Sequence, residues 1–185
     1  LVRDRVFEVY VASHLTRGRF LSLLGNDLHR YYRTVCMDFR YKVEEQDKSW
    51  AIRSLKLRHS RKVWHLANLC LLLWGAHACD EHTRVDEVAA RLDQPSLVRI
   101  EQAMRDFGQA EIVIPLVEAY DRFLAALAQA EVRHELEHLA YGRRDRSTAY
   151  QALRDNAEAV DGACFSIVEV LLAHAPQTLV RFCLL

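Results

Sequence analysis

The sequence predicts an all-α fold, a helical bundle of four or five long helices plus two short ones. Three observations predict it. Only six Gly and three Pro punctuate 185 residues, apolar residues recur at three- and four-residue spacing through most of the chain, and no convincing stretch alternates apolar and polar residues as a half-buried strand does. A chain of this length that is 51% hydrophobic and 27% charged can bury one good core, so residues 1–185 read as a single helical domain.

Val2, Val6, Tyr10 and Val11 mark a first helix over residues 1–15, broken by Thr16, Arg17 and Gly18. From Arg19 to about Glu45, the series from Phe20 through Leu24, Leu28, Tyr31, Val35 and Phe39 to Val43 keeps a 3.6-residue period through Gly25, which gives a long second helix. Asp47 to Ser49 form the turn. A third helix runs from Trp50 to about Ala78, amphipathic at first and apolar nearly all round from Leu66 to Leu73, as befits the centre of a bundle. After the polar turn Asp80–Thr83 come a short helix through Val85, Val88 and Leu92, and another that begins at Pro95 and is ended by Gly108. Residues 111–141 read as one long helix with Pro115 tolerated in its first turns, Tyr141–Ser147 as a basic turn, and residues 148–175 as a final helix closed by Pro176.

The net charge of zero conceals an asymmetry. Residues 1–79 carry 14 Lys and Arg against 7 Asp and Glu, residues 80–137 carry 6 against 13, and the remainder balances at 5 each. The chain thus divides into a basic hairpin over 19–79 and acidic to neutral helices over 83–185. A basic half is where a nucleotide or nucleic acid would bind, unless the two halves neutralise each other in the fold. The longest apolar run, Leu66–Ala76, is interrupted by Asn68 and is too short to span a bilayer. Cys36, Cys70, Cys79, Cys164 and Cys183 are odd in number and lack CxxC spacing, which favours reduced thiols and a cytoplasmic location. The start at Leu1 in mid-pattern and the apolar end FCLL suggest an excerpt of a longer protein. A homo-oligomer is compatible with all of this.

Three constellations could carry chemistry. KLRHSRKVWH at 56–65 holds Arg58 and His65 at a spacing seen in helical HEPN-type ribonucleases, where the His serves as acid or base and the Arg steadies phosphate charge. With 21 Arg and 9 His, about three such pairs arise by chance, and three occur. HELEH at 134–138 is a formal HExxH: on a helix His134 and His138 share a face and could hold zinc, with Glu135 as base and Glu158 as third ligand. Histidine and glutamate at this spacing are equally ordinary on a solvated helix. Thirdly, Asp27, Arg30, Thr34, Asp38 and Lys42 form a polar stripe on the second helix, and Arg53, Lys56, Ser60 and Arg61 form one on the third, with Arg58 and Lys62 beside them. A short turn brings the two helices together, and the cations outnumber Asp27 and Asp38. The surplus calls for solvent or an anion, and a purely internal ion network is the competing reading.

The residues of this third constellation carry a family resemblance. The segment Asn26–Val63, NDLHRYYRTVCMDFRYKVEEQDKSWAIRSLKLRHSRKV, resembles the helical region that follows the catalytic domain in a group of predicted bacterial nucleotidyltransferases. The matching positions are Asn26, Asp27, Arg30, Tyr31, Arg33, Thr34, Asp38, Phe39, Lys42, Trp50, Arg53, Lys56, Leu57, Arg58, Ser60, Arg61 and Lys62; Met37 and His65 depart from the pattern. The resemblance implies a helical accessory domain that helps close a nucleotide site. An upstream α/β domain with a Gly-Ser motif and an Asp-x-Asp pair would supply the catalytic residues and hold magnesium. This chain has no such motif pair. Expected phosphate ligands are Arg30, Arg33, Lys42, Arg53, Lys56, Arg58, Arg61 and Lys62, steadied by Asp27, Thr34, Asp38 and Ser60.

Overall fold

A computed structural model describes Glu8, Val9 and residues 19–46, 48–175 and 177. Apart from Glu8 and Val9, the helix expected over residues 1–15 lies outside them, as do Asp47, Pro176, Cys183 and the FCLL end. The described residues are all-α, with no strand among them. The helices are α1 (Phe20–Glu44), α2 (Trp50–Lys56), α3 (Lys62–His77), α4 (Arg84–Leu92), α5 (Ser96–Asp106), α6 (Ile114–Ala128), α7 (Ala130–His138) and α8 (Thr148–His174). No described helix is long and apolar enough to cross a membrane.

Two boundaries differ from expectation. The predicted helix over Trp50–Ala78 is divided by a single π-helical turn, Leu57–Arg61, between α2 and α3. The predicted helix over 111–141 stops at Gln129, whose extended backbone (φ −75°, ψ 122°) separates α6 from α7. No Gly or Pro announces this break. The fold's reason for it lies in what α7 then does: Leu136 is fully buried, Leu136 and Leu139 offer carbonyls to α2, and Val132 packs on the same core. Burial and hydrogen bonding outweigh the helix propensity of an Ala-rich segment. The expected turn Tyr141–Ser147 contains a short 3₁₀ helix, Tyr141–Arg146.

Residue contacts gather in two compact units. The first comprises the described residues up to Tyr31, His65–Ala110, and those from Val168 onward. The apolar run of α3 forms its centre, with Leu66, Ala67, Leu71, Leu72 and Leu73 buried. Helices α3 and α4 approach closely at Gly75, where a Cβ would meet Val88 Cγ2 at 2.7 Å. The Arg91 guanidinium lies 3.4 Å above the Trp74 ring and pairs with Asp106 at 2.7 Å. Gly108 ends α5 with φ +73°, a conformation that a side chain would strain.

The second unit comprises Tyr32–Trp64 and Glu111–Ile167. Its core joins Ala51 and Leu55 of α2, Phe123 of α6, Leu136 of α7, and Tyr150 and Leu153 of α8. Two polar ties fix α2 to the end of α7. The hydroxyl of Ser49, which caps α2, donates to the Leu136 carbonyl at 2.8 Å, and the Trp50 indole N–H donates to the Leu139 carbonyl at 2.6 Å. Trp50 also meets the rings of Tyr141 and Tyr150 edge-on at 5.0 and 5.1 Å.

Candidate functional site

The π-helical turn organises the second unit's polar residues. A π turn contains more residues than an α turn, so it rotates the succeeding side chains about the axis relative to a continuous α-helix. In the run LRHSR, His59 is thereby fully buried while Lys56 and Arg61 on either side are exposed. Its ring stacks on Phe123 at 4.1 Å with an interplanar angle of 8°. Nδ1–H donates to the Leu55 carbonyl at 2.7 Å and Nε2 accepts from the Asn156 amide at 3.2 Å, an arrangement that holds the imidazole neutral. Asn156 also donates to the Ala119 carbonyl at 2.8 Å and accepts from Arg122 Nε at 3.0 Å. Burial, joined by the cations Arg58 and Lys62, lowers the His59 pKa, and the bond to Leu55 and the charge of Asp161 oppose this only in part. His59 therefore locks α2, α6 and α8 together and offers no free nitrogen to a substrate.

Arg58 and Lys62 flank the same turn and both reach Asp161 of α8. Arg58 Nη2 lies 3.3 Å from Asp161 Oδ2, and the Lys62 ammonium pairs with Asp161 Oδ1. The expected acidic partners were Asp27 and Asp38; the carboxylate used lies about a hundred residues further along the chain. Asp38 pairs instead with Lys42 on its own helix. A single carboxylate against two cations leaves one positive charge over. Nearby, the Tyr32 phenol is pushed up to about 12 by burial and then by Cys36, with smaller contributions from Cys164 and Asp161. The Cys164 thiol is pushed up to about 11 by burial, so it is protonated and unreactive at neutral pH.

Four predicted cations, Arg33, Arg53, Lys56 and Arg61, have no carboxylate partner among the described residues. Arg33, Lys56 and Arg61 are exposed, and Arg53 is half-buried. Ser60 accepts from the Tyr120 hydroxyl at 3.2 Å, and Thr34 is exposed. Arg30 and Asp27 belong to the first unit, so the predicted stripe divides between the two units.

The other candidates resolve into local arrangements. His65 belongs to the first unit, whereas Arg58 belongs to the second. The His65 ring meets His29 edge-on at 5.0 Å, and burial, then the neighbouring His29, lowers its pKa to about 4. It is a neutral imidazole at pH 7. His134 and His138 are exposed neighbours on α7, and His138 Nδ1–H donates to the His134 carbonyl at 2.9 Å. Glu135 accepts from the Ser147 hydroxyl at 2.5 Å at the start of α8, and Glu158 is exposed. No three His, Cys, Asp or Glu side chains among the described residues converge to hold a metal.

Sequence inspection did not single out Asp161, Asn156 or Tyr120. Asp161 follows Asp155 and Glu158 at three-residue spacing beside the buried Val160, so the sequence alone does not distinguish it from its exposed neighbours. Comparison with protein-family models, with curated proteins and with solved structures gives no match.

Proposed function

We propose that this chain is a helical accessory domain of a nucleotidyltransferase-like protein, and that it helps bind nucleotide or acceptor phosphate through the basic residues around the π-helical turn. The observation that carries this reading is the charge surplus. Arg33, Arg53, Lys56 and Arg61 have no carboxylate among the described residues, and Asp161 only half-neutralises Arg58 and Lys62. A purely internal ion network would pair such groups, because an accumulated positive charge destabilises a fold unless solvent or an anion offsets it. The resemblance of Asn26–Val63 supports the identity of that anion as a phosphate. Arginine's planar fork suits phosphate oxygens, and the flexible lysine adds a point charge.

In this reading the chain binds and orients but does not catalyse, and magnesium and the catalytic residues belong to an upstream domain. Arg61→Ala or Arg33→Ala is expected to weaken ATP binding by the chain about tenfold each, the loss of one charge-assisted hydrogen bond. Isothermal titration checks this; binding unchanged in both variants removes the proposal.

A further inference from the structure

The first unit buries a positive charge that pairs with no carboxylate among the described residues. Arg99, in the first turn of α5, is only 4% exposed, and Asn68 of α3 is 1% exposed. One guanidinium nitrogen, Nη1, donates to Asn68 Oδ1 at 2.6 Å, and Nη2 reaches Ser96 Oγ at 3.4 Å. Neither acceptor carries charge. Two further donors on this same hydrogen-bonded pair, Arg99 Nε and Asn68 Nδ2, are sealed from solvent with no acceptor among the described residues. Burial pulls the Arg99 pKa below its ordinary value, yet arginine does not surrender its proton in a protein.

An isolated buried cation is destabilising, and each unsatisfied buried donor adds to that cost. The surrounding backbone worsens the balance in one respect and suggests its remedy in another. Helix α5 starts after Pro95, has no side-chain cap and has no acidic residue in its first turn. Its N-terminal N–H groups and dipole thus add positive potential beside Ser96 and Arg99, and both effects favour a negative charge there.

We infer that Arg99, Asn68 and Ser96 form a binding site for one small inorganic anion of halide type. Size and charge follow from the sealing. Two donors shut off from solvent admit a monatomic ion more readily than a nucleotide, and a monovalent anion is far cheaper to desolvate than a phosphate dianion. The site uses only residues of the first unit, whereas the proposed phosphate-binding residues belong to the second. Its role is to complete the core: Asn68 interrupts an otherwise apolar run in α3, and the anion gives that polar interruption and Arg99 a common partner.

Bromide serves as the probe. Crystals of the chain grown or soaked in sodium bromide should show anomalous density within hydrogen-bond distance of Arg99 Nε and Asn68 Nδ2. In solution, replacing sulfate by chloride or bromide at matched ionic strength should raise the melting temperature by about 2–4 °C through preferential binding to the folded state. Asn68→Asp supplies a built-in carboxylate and removes one donor, so this variant should stay folded and lose the halide-dependent rise. Arg99→Met should lose it as well, and Asn68→Asp decides the matter if Arg99→Met fails to fold. Absence of bromide density beside Arg99, or a halide response in Asn68→Asp equal to that of the wild type, overturns the inference.

Discussion

Phe123→Ala is expected to lower the unfolding free energy of the second unit by about 3–5 kcal/mol, the range for deleting a fully buried aromatic ring. Phe123 is 1% exposed and packs in the cluster with Leu55, Leu136, Tyr150 and Leu153. Its loss is more than a cavity. The ring is the stacking surface for His59, whose two nitrogens bond to Leu55 and Asn156, so the π-helical turn loses its inner support. Phe123→Leu, which keeps most of the volume but not the flat face, should cost roughly half as much. Urea unfolding followed by circular dichroism measures both. A cost below about 1 kcal/mol for Phe123→Ala would show that the stacked pair does not hold the turn.

Acidification should destabilise the protein between about pH 6.5 and 4. An unfolded histidine titrates near 6.5, whereas folded His65 titrates near 4 because burial, then His29, opposes its charge. Between those values the unfolded chain holds more protons than the folded one, so stability is fully present above pH 6.5 and falls as the pH drops towards 4. The shift at His65 alone corresponds to a loss on the order of 3 kcal/mol across that window. His59 acts in the same direction, because burial lowers its pKa too. Stability measured as a function of pH for the wild type and His65→Phe should show a shallower slope in the variant. Parallel curves would mean that His65 titrates in the folded state as it does when unfolded.

The helical class was legible because its signal is local. Scarce Gly and Pro and the 3.6-residue period placed α1, α4, α5 and α8 within a few residues of their observed limits, and Gly108 and Pro115 took the positions that their backbone chemistry favours. The break at Gln129 and the π turn at Leu57–Arg61 were not legible. Both are set by tertiary contacts: α7 turns to bury Leu136 beneath α2, and the π turn inserts His59 between Leu55, Phe123 and Asn156. The candidate site shows the same division. A surplus of cations could be counted from residues 27–62, but the carboxylate that binds Arg58 and Lys62 sits on α8, where only the fold could bring it. His59 and Asp161 were missed for this shared reason, since neither spacing nor composition reports a contact made across about a hundred residues.

Tripolyphosphate binding tests the phosphate reading most directly, because this ligand carries the charge of a nucleotide without its base. Isothermal titration should show binding that weakens as salt rises, as expected for exposed cations. In a variant carrying Arg33→Gln, Arg53→Gln, Lys56→Gln and Arg61→Gln together, the affinity should fall at least about a hundredfold while the melting temperature stays within a few degrees of the wild type. Equal affinity in that folded variant, or no binding by the wild type at low salt, would contradict the account.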